Sequence, residues 1–405
     1  MVHKRRAFLV SGAAAVTAGL LEPVRAAERA AKPVRIRAVD TFSIEIPTPD
    51  EEVKMGKMNR YSVVRVETDA GVRGYSFAGS SRQALDSAIR PMLVGKDLFA
   101  VEQHLKAGLV NFGGVEHAVW DAIGKIAGQP VYRLLGGSKS RVKAYLTCVW
   151  QGKSDQSHVP YKDQADMAVK IQKAGFKGMK IRAWRPNPTD DADACGEIRA
   201  AVGPEFAIMF DRTGQVPERA GQKVWSYEIG LRVARALEKH GANWLEEPFH
   251  RDDFLSPARL HREVDITITG GEGFRGLHGF REALVNDSYE ILQPDCVSAG
   301  GIFTVRKIAA MADAFNRPVI MHGAMGLRLA GWIQASCAIG APWQEFALVT
   351  PPLLPEEQWS PALKIVNSSR LFNISGGEIE APPGPGLGLD INEEALNSFR
   401  VVERA

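Results

Sequence analysis

Cysteine is scarce in this chain: four residues in 405, Cys148, Cys195, Cys296 and Cys337, with no CxxC pair and no tight cluster. That usage excludes a disulfide-built scaffold and a zinc ribbon or finger. The apolar neighbours of Cys148 and Cys337 mark these residues as buried thiols, and no disulfide is required. A surplus of one charge sign is missing as well. The formal net charge is +3, and the first 26 residues alone carry Lys4, Arg5, Arg6 and Arg25 against Glu22. Without that segment the chain is near neutral, so its basic isoelectric point says nothing about partners. Basic stretches interleaved with aromatics are absent, which leaves no footprint for nucleic acid. Beyond the first residues no apolar run approaches the roughly 20 residues that a membrane span needs.

The first 26 residues read as a leader and not as part of the fold. Three cations precede Phe8 and Leu9, Ala7–Leu21 is apolar, and Val24-Arg25-Ala26 offers a small-residue cleavage site before Ala27. The run Lys4-Arg5-Arg6-Ala7-Phe8-Leu9 resembles a twin-arginine export signal. The expectation is a periplasmic or secreted bacterial protein without a membrane span once the leader is removed.

A length of 405 residues implies more than one domain. Val34–Ile46 alternates as a half-buried strand, and Tyr61–Glu67 and Val72–Phe77 flank the hairpin signal Asp69-Ala70-Gly71. The intervening residues 47–60 are polar and without period, a surface loop or a lid. Helical periods follow at Ser81–Met92 and Val115–Ala127, the second stopped by Gly128-Gln129-Pro130. From Lys143 the rhythm becomes short apolar run, polar segment, amphipathic helix, with helices expected over Asp163–Ala174, Tyr227–His240, Gly276–Asn286 and Val305–Phe315. That alternation predicts βα units and a parallel sheet. Residues 27–140 form an α+β unit, 141–365 the βα repeat, and the Gly- and Pro-rich 366–405 returns along the first unit.

Lys180, Asp211, Glu246, Glu272, Asp295, His322 and Glu345 each end an apolar run, spaced 31, 35, 26, 23, 27 and 23 residues apart, about one βα unit each time. A charged group at the end of a buried strand is unfavourable unless it faces a polar site. Parallel strands of a (β/α)8 barrel share such a site at their carboxyl ends. Asp211, Glu246 and Glu272 would raise one another's pKa unless a cation sits among them, and hard oxygen ligands suit Mg2+. His322 and Asp295 read as a general base with the carboxylate that orients it. Lys180 and Arg182, two apart on one strand, face the same way and suit a clamp for an anion. Trp184, Arg185, Arg212, Thr213 and Gln215 lie beyond these strand ends. Trp184, Arg185 and Thr213 are the expected substrate contacts, together with lid residues 54–60 and the polar run 215–223.

These segments, Lys180-Ile181-Arg182, Asp211, Glu246-Glu247-Pro248, Gly271-Glu272, Gln293-Pro294-Asp295, His322 and Glu345, together resemble the enolase superfamily, mandelate racemase subgroup. Val115–Gly137 and Pro383–Asn392 also resemble family segments, so the likeness runs from Val34 to Asn392. It implies a modified (β/α)7β barrel beneath an α+β capping domain built from both chain ends, and an assembly of identical subunits. By the family pattern, Glu246 and not Glu247 is the ligand for one Mg2+ per subunit. Glu345 would donate a hydrogen bond to a developing enolate oxygen when protonated. The subgroup's second strand usually reads Lys-x-Lys, and here the second position is Arg182. A guanidinium with a pKa above about 12 is a poor proton acceptor. A racemase needs a base on each face of the α-carbon, whereas β-elimination needs one. The expectation is therefore a dehydratase of sugar acids (aldonates or aldarates). The runners-up are a racemase or epimerase of a 2-hydroxy acid and a periplasmic sugar-acid binding protein without turnover. N-terminal sequencing of the exported protein should start at Ala27; a mature chain starting at Met1 would refute the leader.

Overall fold

A computed structural model describes residues 33–54, 59–150, 159–213 and 224–401. The leader, residues 55–58 of the expected lid and the run 215–223 lie outside them. Three antiparallel strands open the fold: β1 (Ile36–Glu45), β2 (Arg60–Thr68) and β3 (Arg73–Ser76). Their inner residues pack on the helix Gly113–Ala127, which is buried on every side from Gly113 to Gly124. A helix buried all round is one layer inside a larger core, and its second neighbour here is the barrel. It ends at Gly128 in the left-handed conformation (φ +63°), as the Gly-Gln-Pro stop requires.

The expected helix 81–92 is broken by a wide π turn, Leu85–Ile89, between Arg82–Ala84 and Arg90–Leu93. The expected featureless lid contains a short helix, Asp50–Lys54, with Asp50, Glu51 and Glu52 in its first turn and Lys54 in its last. That charge order complements the helix dipole, which a search for apolar period does not detect.

The barrel runs β4 (Arg141–Cys148), β5 (Gly178–Arg182), β6 (Ala207–Asp211), β7 (Trp244–Glu246), β8 (Thr267–Gly270) and β9 (Ile291–Leu292), all parallel. β10 (Trp343–Val349) pairs with β4 and closes the ring. Between β9 and β10 the expected strand before His322 is reduced to two bridges, Leu292 to Val319 and Met321 to Gln344. Pro318 has no N–H to donate, although its carbonyl accepts from Leu292 N at 3.1 Å.

Register brings the site to one height: Arg182 pairs with Asp211, Asp211 with Glu246, and Glu246 with Thr269. Beneath them Tyr145, Met209, Trp244 and Ile320 fill the barrel interior as an apolar plug. Four helices lie close to expectation: Tyr161–Lys173, Tyr227–Lys239, His278–Val285 and Ile302–Asp313.

The carboxyl-terminal segment departs from the simple return expected of it. A hairpin, β11 (Asn373–Ser375) and β12 (Glu378–Glu380), pairs with the start of β4. The chain meets the cap on both sides of this hairpin: Ala362, Ile365 and Val366 pack with Phe42 and Ile44 before it, and after it Val401 N bonds to Ser43 O at 2.8 Å and Arg73 pairs with Glu393. From Val34 onward the described chain is one compact unit, with no gap at residue 140. Close approach of β3 to the buried helix depends on Gly74, where a Cβ would lie 2.1 Å from Ala118 O. Gly74→Ala should destabilise the protein by about 1–3 kcal/mol, read by chemical denaturation; an unchanged midpoint would show that the layer can open.

Candidate active site

Lys180 rises from β5 into the barrel mouth without solvent contact. Its Nζ lies 2.7 Å from Glu246 Oε2, 3.1 Å from Glu345 Oε2 and 3.5 Å from Asp211 Oδ2. Burial disfavours the ammonium, but Glu246 and Glu345 outweigh it and hold the pKa well above the ordinary value. Arg182, one pleat higher, donates to Asp211 Oδ2 and Thr213 Oγ1, and Thr213 donates to Asp211 Oδ1 at 2.7 Å. Its guanidinium lies 5.6 Å from the Trp184 ring centroid, and Trp184 Nε1 donates to Arg212 O at 3.0 Å. Burial opposes the charge on Arg182, but Asp211 and Glu272 raise its pKa beyond the ordinary arginine value.

Asp211, Glu246 and Glu272 present carboxylate oxygens that all lie within 4.8 Å of one another. Glu246 Oε2 accepts from Lys180 and from Gln293 Nε2 at 2.9 Å, while the buried Oε1 has no hydrogen-bond partner among the described residues. Burial and the neighbouring Asp211 charge push the Glu246 carboxyl up to about 8 despite Lys180. A buried carboxylate oxygen with an unmet lone pair, among three hard ligands, is what a divalent cation such as Mg2+ fits. Glu247 is turned away in the left-handed region (φ +43°), accepts from Gly271 N at 3.1 Å and pairs with Arg251 at 3.1 Å. Arg251 also reaches Glu272 Oε1 at 3.2 Å.

His322 lies between two carboxylates, with Nδ1 3.1 Å from Asp295 Oδ2 and Nε2 3.1 Å from Glu272 Oε2. Burial disfavours the imidazolium, but Glu272, Asp295 and Glu345 push the pKa up to about 10. Asp295 is itself fixed, its Oδ1 accepting from Val297 N (3.0 Å) and Ser298 N (2.7 Å).

Of the eleven expected site residues, ten converge here or directly beside the cluster. Arg185 does not. Its guanidinium is buried among the outer helices, donating to Val159 O (2.8 Å) and Gln164 Oε1 (3.0 Å), and lies 4.4 Å from the Tyr161 ring centroid. β5 ends at Arg182, so strand alternation no longer governs where residue 185 points. The hydrogen bond expected from Glu345 requires its protonated form. Glu345 accepts from Gly323 N (2.9 Å), Thr147 Oγ1 and Lys180, and the Lys180 and His322 charges overcome burial to hold its pKa below the ordinary value. In this state it is a carboxylate acceptor, not a donor. Sequence reading assigned no site role to Gln293, Arg251, Thr147 or Gly323. Two of them had a visible signal: Gln293 lies in the family-like Gln293-Pro294-Asp295, and Arg251 stands at i,i+4 from Glu247.

Mg2+ competes with the proton on Glu246, so its affinity should rise with pH until about pH 8 and then level off, read by calorimetry. At 100 times Kd, Mg2+ should stabilise the protein by about 2.7 kcal/mol. Glu246→Gln should lose that stabilisation; a variant that kept it would remove Glu246 from the ligand set.

Residues 162–395 match the model for the enolase C-terminal domain-like family, and residues 43–136 match the mandelate racemase / muconate lactonizing enzyme N-terminal domain. Arabinonate dehydratase of Saccharolobus solfataricus is 30% identical over 83% of this chain and 89% of its own length. D-galactarolactone cycloisomerase of Agrobacterium fabrum is 28% identical over 91% of this chain and all of its own. Among solved structures, D-glucarate dehydratase from Agrobacterium tumefaciens, complexed with magnesium, superposes with a TM-score of 0.76 at 24% identity, covering 91% of this chain and 99% of that one. With both domain models matched in order over a site of this geometry, the chain belongs to the mandelate racemase and muconate lactonizing enzyme family of the enolase superfamily.

Proposed function

We propose that the chain is a Mg2+-dependent dehydratase of sugar acids, exported to the periplasm by its leader-like first 26 residues. The observation that carries the reading is the asymmetry of the cations around the site. One side offers an imidazole backed by Asp295. The second position of the Lys-x-Arg strand offers a guanidinium engaged by Asp211 and Thr213 and kept charged by its surroundings. One group can cycle a proton and the other cannot.

Asp211, Glu246 and Glu272 would hold the cation, which when bound polarises a substrate carboxylate, acidifies its α-proton and draws off the Glu272 charge that keeps His322 protonated. Lys180 and Arg182 bind and orient the carboxylate. His322 Nε2 removes the proton from C2. The same imidazolium returns it to the hydroxyl leaving C3, which departs as water, and the enol product tautomerises to a 2-keto-3-deoxy acid. Arabinonate and glucarate dehydratases among the relatives support this class.

A racemase or epimerase would need Arg182 as a second base. A cycloisomerase, the class of the Agrobacterium fabrum relative among others, would give an isomer of unchanged mass. A binding protein would hold sugar acids without turnover. Incubating the Mg2+-loaded enzyme with aldonic and aldaric acids in D2O should give the dehydrated 2-keto-3-deoxy acid carrying one solvent deuteron at C3, with no inversion at C2 in recovered substrate. His322→Asn should lower turnover about 10²–10⁴-fold while leaving Mg2+ binding intact. Wild-type activity in that variant, or no dehydration of any acid, overturns the reading.

A further inference from the structure

The loop that carries the base's partner, residues 295–301, is not held by the barrel alone. β9 ends at Leu292, so Asp295 lies beyond the ladder. Within the loop, Ala299 N bonds to Asp295 O at 2.9 Å and Gly301 N to Cys296 O at 2.8 Å. The cap helix Gly113–Ala127 contacts it at both ends. At the near end, His117 Nε2 lies 3.3 Å from Cys296 Sγ, one residue from Asp295. At the far end, the Glu116 carboxylate accepts from Ile302 N and Phe303 N, both at 2.9 Å, and from Trp120 Nε1 at 2.8 Å.

Glu116 is fully buried, and its three donors include the first two N–H groups of helix Ile302–Asp313. A carboxylate there satisfies orphan donors and complements the helix dipole. The two backbones touch because side chains are missing. A Cβ on Gly113 would lie 2.4 Å from Val297 O, and one on Gly301 would lie 2.3 Å from Glu116 Oε2. Gly301 also holds φ +108°, a conformation that L side chains rarely adopt.

We propose that Glu116 is a positioning residue for the base. Through its bonds to Ile302 and Phe303 it fixes the loop from Asp295 to Gly301, and so the direction in which Asp295 presents Oδ2 to His322 Nδ1. Glu116 touches no reacting atom; it acts through Asp295. Burial pushes its carboxyl up to about 7 against the pull of its three donors, so nothing but that geometry favours a charge at this point. Its neighbour His117, held neutral by burial with a pKa near 4, closes the other end of the loop without adding charge.

The test uses the full Mg2+-loaded protein labelled with 15N-histidine, with the His322 Nδ1–H resonance assigned by its loss in His322→Asn. In Glu116→Gln, whose amide would turn a donor toward donors, the resonance should shift or broaden while Mg2+ affinity changes by less than about twofold. Gly74→Ala, which strains the opposite face of the same helix, should leave the resonance in place, separating positioning from a general loss of stability. The activity arm rests on the dehydratase reading: kcat should fall about 10–100-fold in Glu116→Gln with KM little changed. If no sugar acid is turned over by the wild type, that reading fails while the resonance still decides the role of Glu116. Where Glu116→Gln does not fold, Trp120→Phe removes one donor and should give a smaller shift in the same resonance. A folded Glu116→Gln, or failing that a Trp120→Phe, with the wild-type resonance overturns the proposal.

Discussion

The Lys180 ammonium lies within 3.5 Å of carboxylate oxygens from Glu246, Glu345 and Asp211, and neither it nor any of the three is more than 1% exposed. Ionised carboxylates lose several kcal/mol of solvation on burial unless they are paired and hydrogen-bonded. One ammonium can answer one charge in full. The barrel folds around the set because β4 to β10 deliver the remaining compensation from other directions: Arg182 to Asp211, Gln293 to Glu246, and Thr147 and Gly323 N to Glu345. The residue left short is Glu246, whose Oε1 finds no partner among the described residues and whose carboxyl holds a proton well above the ordinary range. The interaction that makes the fold tolerable therefore leaves a deficit of positive charge at one point. The deficit is what makes the site a cation site.

Most of this geometry was legible because strand ends are governed by register. A charge that interrupts an apolar run at the period of a βα unit has few places to go, and Lys180, Asp211, Glu246 and Glu272 went there. What register does not govern was less legible. Arg185 follows the end of β5 and turns into the outer layer, where Gln164 and Asp191 receive it. The strand before His322 dissolved into two bridges, yet His322 still arrives at the mouth because its N–H bonds to Pro294 O at 3.0 Å. The second partners of the site come from residues with no pattern of their own. A glutamine one pleat past a strand, a backbone N–H after a histidine and a threonine on a neighbouring strand become visible only once the ring is closed.

Protonation states follow from the same geometry and not from residue type. Glu246 and Glu345 both face Lys180, yet one is pushed above the ordinary glutamate range and the other below it. The difference lies in their remaining neighbours. Glu345 has three further donors, Thr147, Gly323 N and Tyr145, and the His322 charge, whereas Glu246 has the Asp211 charge and one amide. A role assigned to Glu345 as a proton donor thus depends on what binds beside Lys180, because the ammonium leaves this carboxylate only if it finds another anion. A substrate carboxylate is such an anion. In the proposed reaction this would connect the clamp and the acid as one device, with Lys180 as the part they share.

The barrel's ladder is thinnest where its base stands. β9 has two residues and the next strand is two bridges; Asp295 lies past them, and His322 is tied on by its N–H to Pro294 O. Yet a general base tolerates little misplacement, since about 1 Å can cost two orders of magnitude in rate. The cap meets the barrel on this side: Glu116 on Ile302 and Phe303, His117 on Cys296 and against the Trp332 ring, Tyr132 N on Gln334, and Arg328 on Phe77 O. The carboxylates proposed to hold the cation on β6 and β7, Asp211 and Glu246, sit in continuous ladder and need no such help. The cap is accordingly more than a cover for the barrel mouth. It supplies, at the half of the ring where sheet pairing fails, the rigidity that pairing supplies to the other half.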